Sequence, residues 1–423
     1  MVDYKIIKKG RKGWIKPLPP KALAKSIEAK LSYEKQGAQF MPNKAWAQVK
    51  LYKIKTGSFP WGLLDTVIEQ CENWESFKPE DKFTICRLNP NLLKLGGICS
   101  SKTLRSYQTD AIDALVRNNG GILSIPTGGG KTFTCLSYLE LYKQKTLVIV
   151  PTVYLKEQWE QQSPDYVDVR TYQGIKDYSE LDQYKFIVFD ECHHVAASTL
   201  WKLAMKLKEQ VVVGLSATPW REDGEDMKVR GALGRIVFSV SLKTLIEQGY
   251  LSDAQVEWVD LTNYIPEFYM DYHGYYRNYI VENDERNKAI ISHTVRNSTK
   301  RVLVLVGQID HGAELYTQLK YLDEDVVFLN GQSKEMDTDH RIIIATSIFD
   351  EGVDLPHLDM IVMAAGGKSS IKCLQRIGRV LRKSEGKDKA LIIDFVDRCK
   401  YLFKHYERRK EIYIENGWDK EEM

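Results

Sequence analysis

Nowhere in the 423 residues do roughly eighteen apolar side chains run consecutively, the length a helix needs to cross a bilayer. The first residues also lack the apolar core of a secretory signal, so a soluble chain working in the cytoplasm is expected. Cysteine is scarce: Cys71, Cys86, Cys99, Cys135, Cys192, Cys373 and Cys399 are the seven. None forms a Cys-x-x-Cys pair, which argues against zinc ribbons and iron–sulfur clusters. The odd count fits reduced structural thiols better than a disulfide framework. Internal repeats and low-complexity tracts are missing too.

An overall excess of charge is also lacking, since 60 basic and 57 acidic residues leave +3. The distribution is uneven, however. Residues 1 to 58 hold 14 basic and 3 acidic side chains, and the chain beyond residue 100 is net acidic. A charge run is often only a solvated face, but a basic module beside a phosphate-using motor is the footprint of nucleic-acid contact. Lys50, Lys53 and Lys55 are its candidate contacts. Trp14, Phe40, Trp46, Tyr52, Phe59 and Trp61 interleave the lysines, either as core residues or as stacking surfaces for bases. Residues 45 to 55 look strand-like, and Leu64, Val67, Ile68, Cys71 and Trp74 recur at helical spacing after the turn Phe59-Pro60-Trp61-Gly62.

What is present is a phosphate site. Pro126-Thr127-Gly128-Gly129-Gly130-Lys131-Thr132 follows the apolar run Gly121 to Ile125 and precedes a helix-like stretch. Glycines let backbone N–H groups curl around an anion, Lys131 can reach the β and γ phosphates, and the Thr132 hydroxyl can hold Mg²⁺. ATP with Mg²⁺ is the expected ligand. A second strand-like run, Lys185 to Phe189, ends in Asp190-Glu191-Cys192-His193. An Asp-Glu pair is usually a solvated turn. Here five mostly apolar residues precede it, so it should sit at the carboxyl edge of a parallel sheet, with Asp190 on the metal and Glu191 on the attacking water.

With those two elements in place, the chain resembles superfamily 2 helicases and translocases from about Leu104 to about Asp397. Leu104-Arg105-Ser106-Tyr107-Gln108 resembles the adenine-reading segment, which implies Arg105 and Gln108 at the base. Val150-Pro151-Thr152 with Leu155 and Gln158-Trp159 looks like motif Ia, and Thr171-Tyr172-Gln173 like motif Ic. Both imply contacts to a nucleic-acid strand, at Pro151, Thr152, Thr171, Tyr172 and Gln173. Ser216-Ala217-Thr218-Pro219 resembles motif III. Ala345-Thr346 through Gly352, Asp354 and Pro356 resembles motif V, implying a strand contact at Thr346 and nucleotide contacts at Gly352 and Asp354. Gln375, Arg379 and Arg382 fall on one helical face in the likeness of motif VI. There the family's arginines stabilise charge on the transferred phosphate. One position departs from the pattern: Ile125 stands where the loop usually opens with Gly or Ala, which should crowd its entrance.

The resemblance implies an α/β fold with two RecA-like parallel-sheet domains and a small α+β N-terminal accessory domain, divided as 1–99, 100–252 and 253–423. Strand-like runs at 301–307, 326–329, 341–345, 360–364 and 390–395 should build the second sheet, with the hinge near 251–266. The helix-like stretch 401–415 should pack on it. Gly214 to Pro219, Arg221 to Gly224 and Leu245 to Leu251 resemble the branch containing XPB and the phage helicase UvsW. The implied activity is that of a monomeric, ATP-dependent DNA helicase on branched or forked DNA, in the host cytoplasm if phage-encoded. An RNA-dependent ATPase and a duplex translocase without strand separation remain open.

Overall fold

The computed structural model describes residues 4–35, 38, 41, 47–74, 84–86, 103–217, 225–261, 271–331, 333, 337–346, 358–366, 377–378, 380–383, 387 and 389–419. The chain divides into two units, Met1–Ile125 with Gly130–Val240, and Pro126–Gly129 with Ser241–Met423.

In the first unit a small mixed sheet is built from β1 (Lys5–Lys9), β2 (Lys12–Lys16), β5 (Ser58–Pro60) and β6 (Thr84–Cys86), in the order β5-β2-β1-β6; β3 (Ser32–Glu34) pairs with β4 (Gln48–Lys50) in a separate ribbon. Ile6 and Ile15 alternate inward from the sheet onto Leu23, Ile27 and Val67 of the helices Lys21–Lys30 and Leu64–Glu72. Of the strand-like tract 45–55, only Gln48–Lys50 is strand among the described residues. The chain turns at Gly57, whose φ of +67° suits glycine.

The larger sheet of this unit is six-stranded and parallel throughout, in the order β12-β7-β11-β10-β8-β9. Its strands are β7 (Gly121–Ser124), β8 (Thr146–Val150), β9 (Val167–Thr171), β10 (Phe186–Phe189), β11 (Val211–Ser216) and β12 (Ile236–Ser239). The four central ones are mostly apolar runs buried at every residue, as a sheet covered on both faces requires. Their carboxyl ends line up at one edge.

The second unit holds another six-stranded parallel sheet, ordered β13-β18-β17-β14-β16-β15. Its strands are β13 (Asp253–Asp260), β14 (Val302–Leu305), β15 (Val326–Leu329), β16 (Ile342–Ala345), β17 (Met360–Val362) and β18 (Lys389–Val396). Both sheets are RecA-like, and the five strands expected here are present. Of the tract expected as a hinge, residues 253–260 form an edge strand paired along its whole length with β18, while 262–266 lie outside the described residues. Polar and apolar residues alternate there because an edge strand is only half covered, and that pattern resembles a linker more than a buried run. The helix Lys400–Glu415 packs on this sheet through Arg409 and Tyr413, which bond the buried Asp394 of β18. Among the described residues, no helix is long and apolar enough to cross a membrane.

Candidate active site

β7 leads into the glycine loop, and the loop leads into the helix Lys131–Glu140. The Ile125 amide donates to the Ser216 carbonyl, 3.1 Å away, so the chain leaves the sheet beside the end of β11. Ile125 is fully buried; the departure from the usual Gly or Ala is absorbed by the core. Gly128 and Gly130 have φ of +82° and +78°, a backbone that side-chain-bearing residues adopt at a cost. A Cβ at Gly130 would also stand 2.8 Å from Nε2 of Gln108. Gln108 is itself buried and accepts the Arg105 amide N–H at 3.0 Å, closing the first turn of its helix. It thus braces the loop, while the Arg105 guanidinium donates to the Tyr107 hydroxyl.

β10 delivers the carboxylates. Asp190 continues the strand, its amide donating to the Ile149 carbonyl at 3.0 Å, and its side chain is almost wholly buried. Each carboxylate oxygen accepts one bond: Oδ1 from the Glu191 amide at 2.9 Å, Oδ2 from the indole Nε1–H of Trp159 at 2.8 Å. Burial first and the neighbouring Glu191 charge second lift the Asp190 carboxyl above the usual carboxylate range; the Lys131 ammonium and the Trp159 N–H oppose that rise. Glu191 has φ +44° and ψ +52°, left-handed for a residue with a side chain, which costs on the order of 1 kcal/mol or more. That turn ends the strand. The Lys131 ammonium lies 3.2 Å from Oε1 of Glu191, both groups mostly shielded from water. His193 extends the network, its Nδ1 standing 3.3 Å from the Ser216 hydroxyl and 3.5 Å from Oε2 of Glu191.

Five strand-contact candidates, Pro151, Thr152, Thr171, Tyr172 and Gln173, lie at or just after the carboxyl ends of β8 and β9 in this sheet. Pro151, Thr171 and Tyr172 are half-buried and Gln173 is exposed. Thr152 caps the helix Val153–Glu160, its hydroxyl accepting the Leu155 amide at 3.2 Å. In the second unit Thr346 is buried at the end of β16 and Arg382 is half-buried. Thr127 is half-buried in the glycine loop, and Lys50, Lys53 and Lys55 are exposed on the N-terminal module. Gly352, Asp354, Gln375 and Arg379 lie outside the described residues. Sequence reasoning missed Trp159 as a partner of the carboxylate, taking its helix only as a strand-tracking element. The available signal was that a buried indole must find an acceptor.

Among the described residues, no group of three or more His, Cys, Asp or Glu side chains could cage a metal ion. One carboxylate and one hydroxyl, Asp190 and Thr132, suit Mg²⁺, which keeps its waters and takes other ligands from substrate phosphates. This donor set therefore fits a magnesium nucleotide.

Residues 101–179 and 167–221 match the family described as "Type III restriction enzyme, res subunit", and residues 276–384 match "Helicase conserved C-terminal domain". The chain belongs to the superfamily 2 helicases. Within superfamily 2 it is of the XPB and UvsW type. It is 25% identical over 375 residues to the DNA 3'-5' translocase XPB2 of Sulfurisphaera tokodaii, covering 73% of this chain and 84% of that protein. To the ATP-dependent DNA helicase uvsW of Enterobacteria phage T4 it is 26% identical over 434 residues, covering 86% and 85%. The structure of S. cerevisiae Dbp5 bound to RNA and ADP BeF3 shares the fold of this superfamily 2 chain, with a TM-score of 0.56 at 16% identity over 76% and 89% of the two chains. Helicases of this superfamily use ATP, typically with Mg²⁺.

Proposed function

We propose that this chain is an ATP-driven DNA helicase directed to branched or forked DNA, which unwinds it, migrates branches and regresses forks. It would act as a monomer in the cytoplasm, that of the host where the gene is a phage's. Its domains are the basic accessory domain 1–99, the ATP-binding domain 100–252 and the second motor domain 253–423. The observation that carries the reading is the Lys131–Glu191 contact beside a buried Asp190, at the carboxyl edge of a parallel sheet.

Amides of Gly128, Gly129 and Gly130, with Thr127 beside them, cradle the phosphates, and Lys131 balances their charge. Arg105 and Gln108 flank the adenine. Thr132 and Asp190 hold the metal, which neutralises phosphate charge and fixes its geometry when bound. The Lys131 ammonium is held by Glu191. A phosphate drawing that ammonium away frees the Glu191 carboxylate to orient a water and polarise it. The water oxygen bonds to the γ phosphorus as the bond to the bridging oxygen breaks, giving ADP and phosphate. Gly352, Asp354, Gln375, Arg379 and Arg382 act on the same nucleotide from the second domain, the arginines on charge in the transition state. Pro151, Thr152, Thr171, Tyr172, Gln173 and Thr346 follow a strand, and Lys50, Lys53 and Lys55 hold a branch.

Support for DNA comes from the XPB2 and uvsW relatives, both described as acting on DNA, and from the basic surplus in residues 1 to 58. The test measures ATP turnover and binding with fork DNA, linear duplex, single strand and duplex RNA. Forks should stimulate most; stronger stimulation by duplex RNA than by any DNA would overturn the assignment.

A further inference from the structure

A cleft of about 630 Å³ opens within the first unit, between the N-terminal module and the parallel-sheet domain. Its rim carries Lys12, Lys50 and Lys53 from the module and Lys202, Lys206 and Lys228 from the domain. No carboxylate is among the described lining residues. Glu28 holds Lys50 at 2.7 Å and Glu225 holds Lys228 at 2.8 Å. Lys12, Lys53, Lys202 and Lys206 have no carboxylate partner among the described residues. Below them the floor is apolar and aromatic, with Phe59 buried and Tyr178 and Trp201 half-buried. The Trp201 ring is held against the domain core, and a Cβ at Gly231 would meet it at 3.4 Å.

Ammonium groups gathered round one opening can take the place of the cations condensed on a polyanion's phosphates, and the release of those cations favours binding. The floor decides which polyanion fits. A duplex shows phosphates and sugars to its surroundings and keeps its bases enclosed, so it would cover apolar rings without stacking on them. An unpaired strand can lay bases on Trp201 and Tyr178 while its phosphates reach the rim. We propose that this cleft binds an unpaired nucleic-acid strand, with phosphates on the lysine rim and bases on the Trp201–Tyr178 floor. The inference rests on the nucleic-acid motor function above and adds a strand site joining module to motor. On a forked substrate the occupant is the single-stranded arm.

The experiment uses the full chain with a fluorescent fork bearing one single-stranded arm and a blunt duplex of the same sequence. Lys202→Gln with Lys206→Gln should weaken fork binding about tenfold and make the plot of log affinity against log salt shallower by about 1.4, roughly 0.7 per lost phosphate contact. Blunt-duplex affinity should be unaltered, and a 5-iodouracil arm should cross-link to Trp201 or Tyr178. Trp201→Leu, compared with wild type for thermal melting, should weaken the fork complex without changing the salt slope. Unaltered fork affinity in both variants, with no cross-link at either ring, would overturn the proposal. So would an equal loss on blunt duplex, which would assign the cleft to duplex. Capture of an acidic peptide that the lysine variants abolish, with fork affinity intact, would assign it to a protein partner instead. A wild-type chain that neither binds DNA nor is stimulated by it sinks the motor function itself; a stimulated wild type beside unaltered variants sinks only the cleft.

Discussion

The indole N–H of Trp159 reaches across 2.8 Å to Oδ2 of Asp190. The two residues lie in different layers, the ring on the helix Val153–Glu160 that Thr152 caps, the carboxylate at the end of β10. A rigid ring therefore ties a helix expected to follow the strand to the carboxylate expected to hold the metal. Trp159→Phe keeps most of the apolar contact and loses the donor. The variant should need roughly tenfold more Mg²⁺ for half-maximal turnover and bind Mn²⁺ more weakly with a non-hydrolysable ATP analogue, read by electron paramagnetic resonance. Unchanged Mn²⁺ affinity would show that the bond serves packing alone.

Lys131 and Glu191 should separate binding from chemistry. Lys131→Ala and Glu191→Gln should each lower ATP turnover about 10²-fold or more. Only Glu191→Gln should retain ATP affinity or improve it, because the neutral amide releases the ammonium now 3.2 Å away. Titration with a fluorescent ATP analogue distinguishes the two; equal loss of affinity in both would contradict the role of this pair.

Arg382→Ala and Arg379→Ala should reduce turnover more than nucleotide affinity, since a positioned guanidinium acts on charge that develops in the transition state. Single-turnover kinetics with saturating ATP provide the comparison. A collapse of affinity with turnover per bound ATP intact would make them binding residues instead.

Docking of the N-terminal module depends on Gly62. A Cβ there would stand 1.9 Å from the Arg230 carbonyl, on the helix Asp226–Leu233 against which the Trp61–Leu63 turn packs. Gly62→Val should lower stability by about 1–3 kcal/mol, as overpacking against backbone does, and open the module to proteolysis. Gly331→Ala, where an added Cβ would meet nothing within 4 Å among the described residues, is the neutral comparison. Equal melting temperatures for the two would show that the contact is easily relieved.

Acid should weaken the second unit through His311. Burial, then the nearby Arg286 charge, hold this imidazole down at about 4 against 6.5 when free. Between those values the unfolded chain binds a proton that the folded chain refuses, so stability falls as pH drops below about 6.5 and is lost progressively down to about 4. At pH 5 the loss should be on the order of 2 kcal/mol. Thermal melts of wild type and His311→Gln from pH 7.5 to 4.5 check it; the substitution should lower stability at neutral pH and flatten the acid dependence.

The phosphate loop, the acidic pair and the all-buried strands that carry them were legible in the chain as written. Each is a short-range pattern: glycines before Gly-Lys-Thr, or two carboxylates after a buried apolar run. Local chemistry at that range leaves little choice of structure. β13 was not legible, because an edge strand with alternating polarity reads as a linker until β18 is seen beside it. Nor was the bond from Trp159 to Asp190, 31 residues apart, or the meeting of Lys50 and Lys53 with Lys202 and Lys206 around one cleft. These depend on which distant segments the fold brings together. Spacing in the sequence determined which groups could act on phosphate; only the crossover order of the sheet and the docking of the module decided which side chains surround them, because pairing between distant segments is set by burial of whole faces and not by any local run.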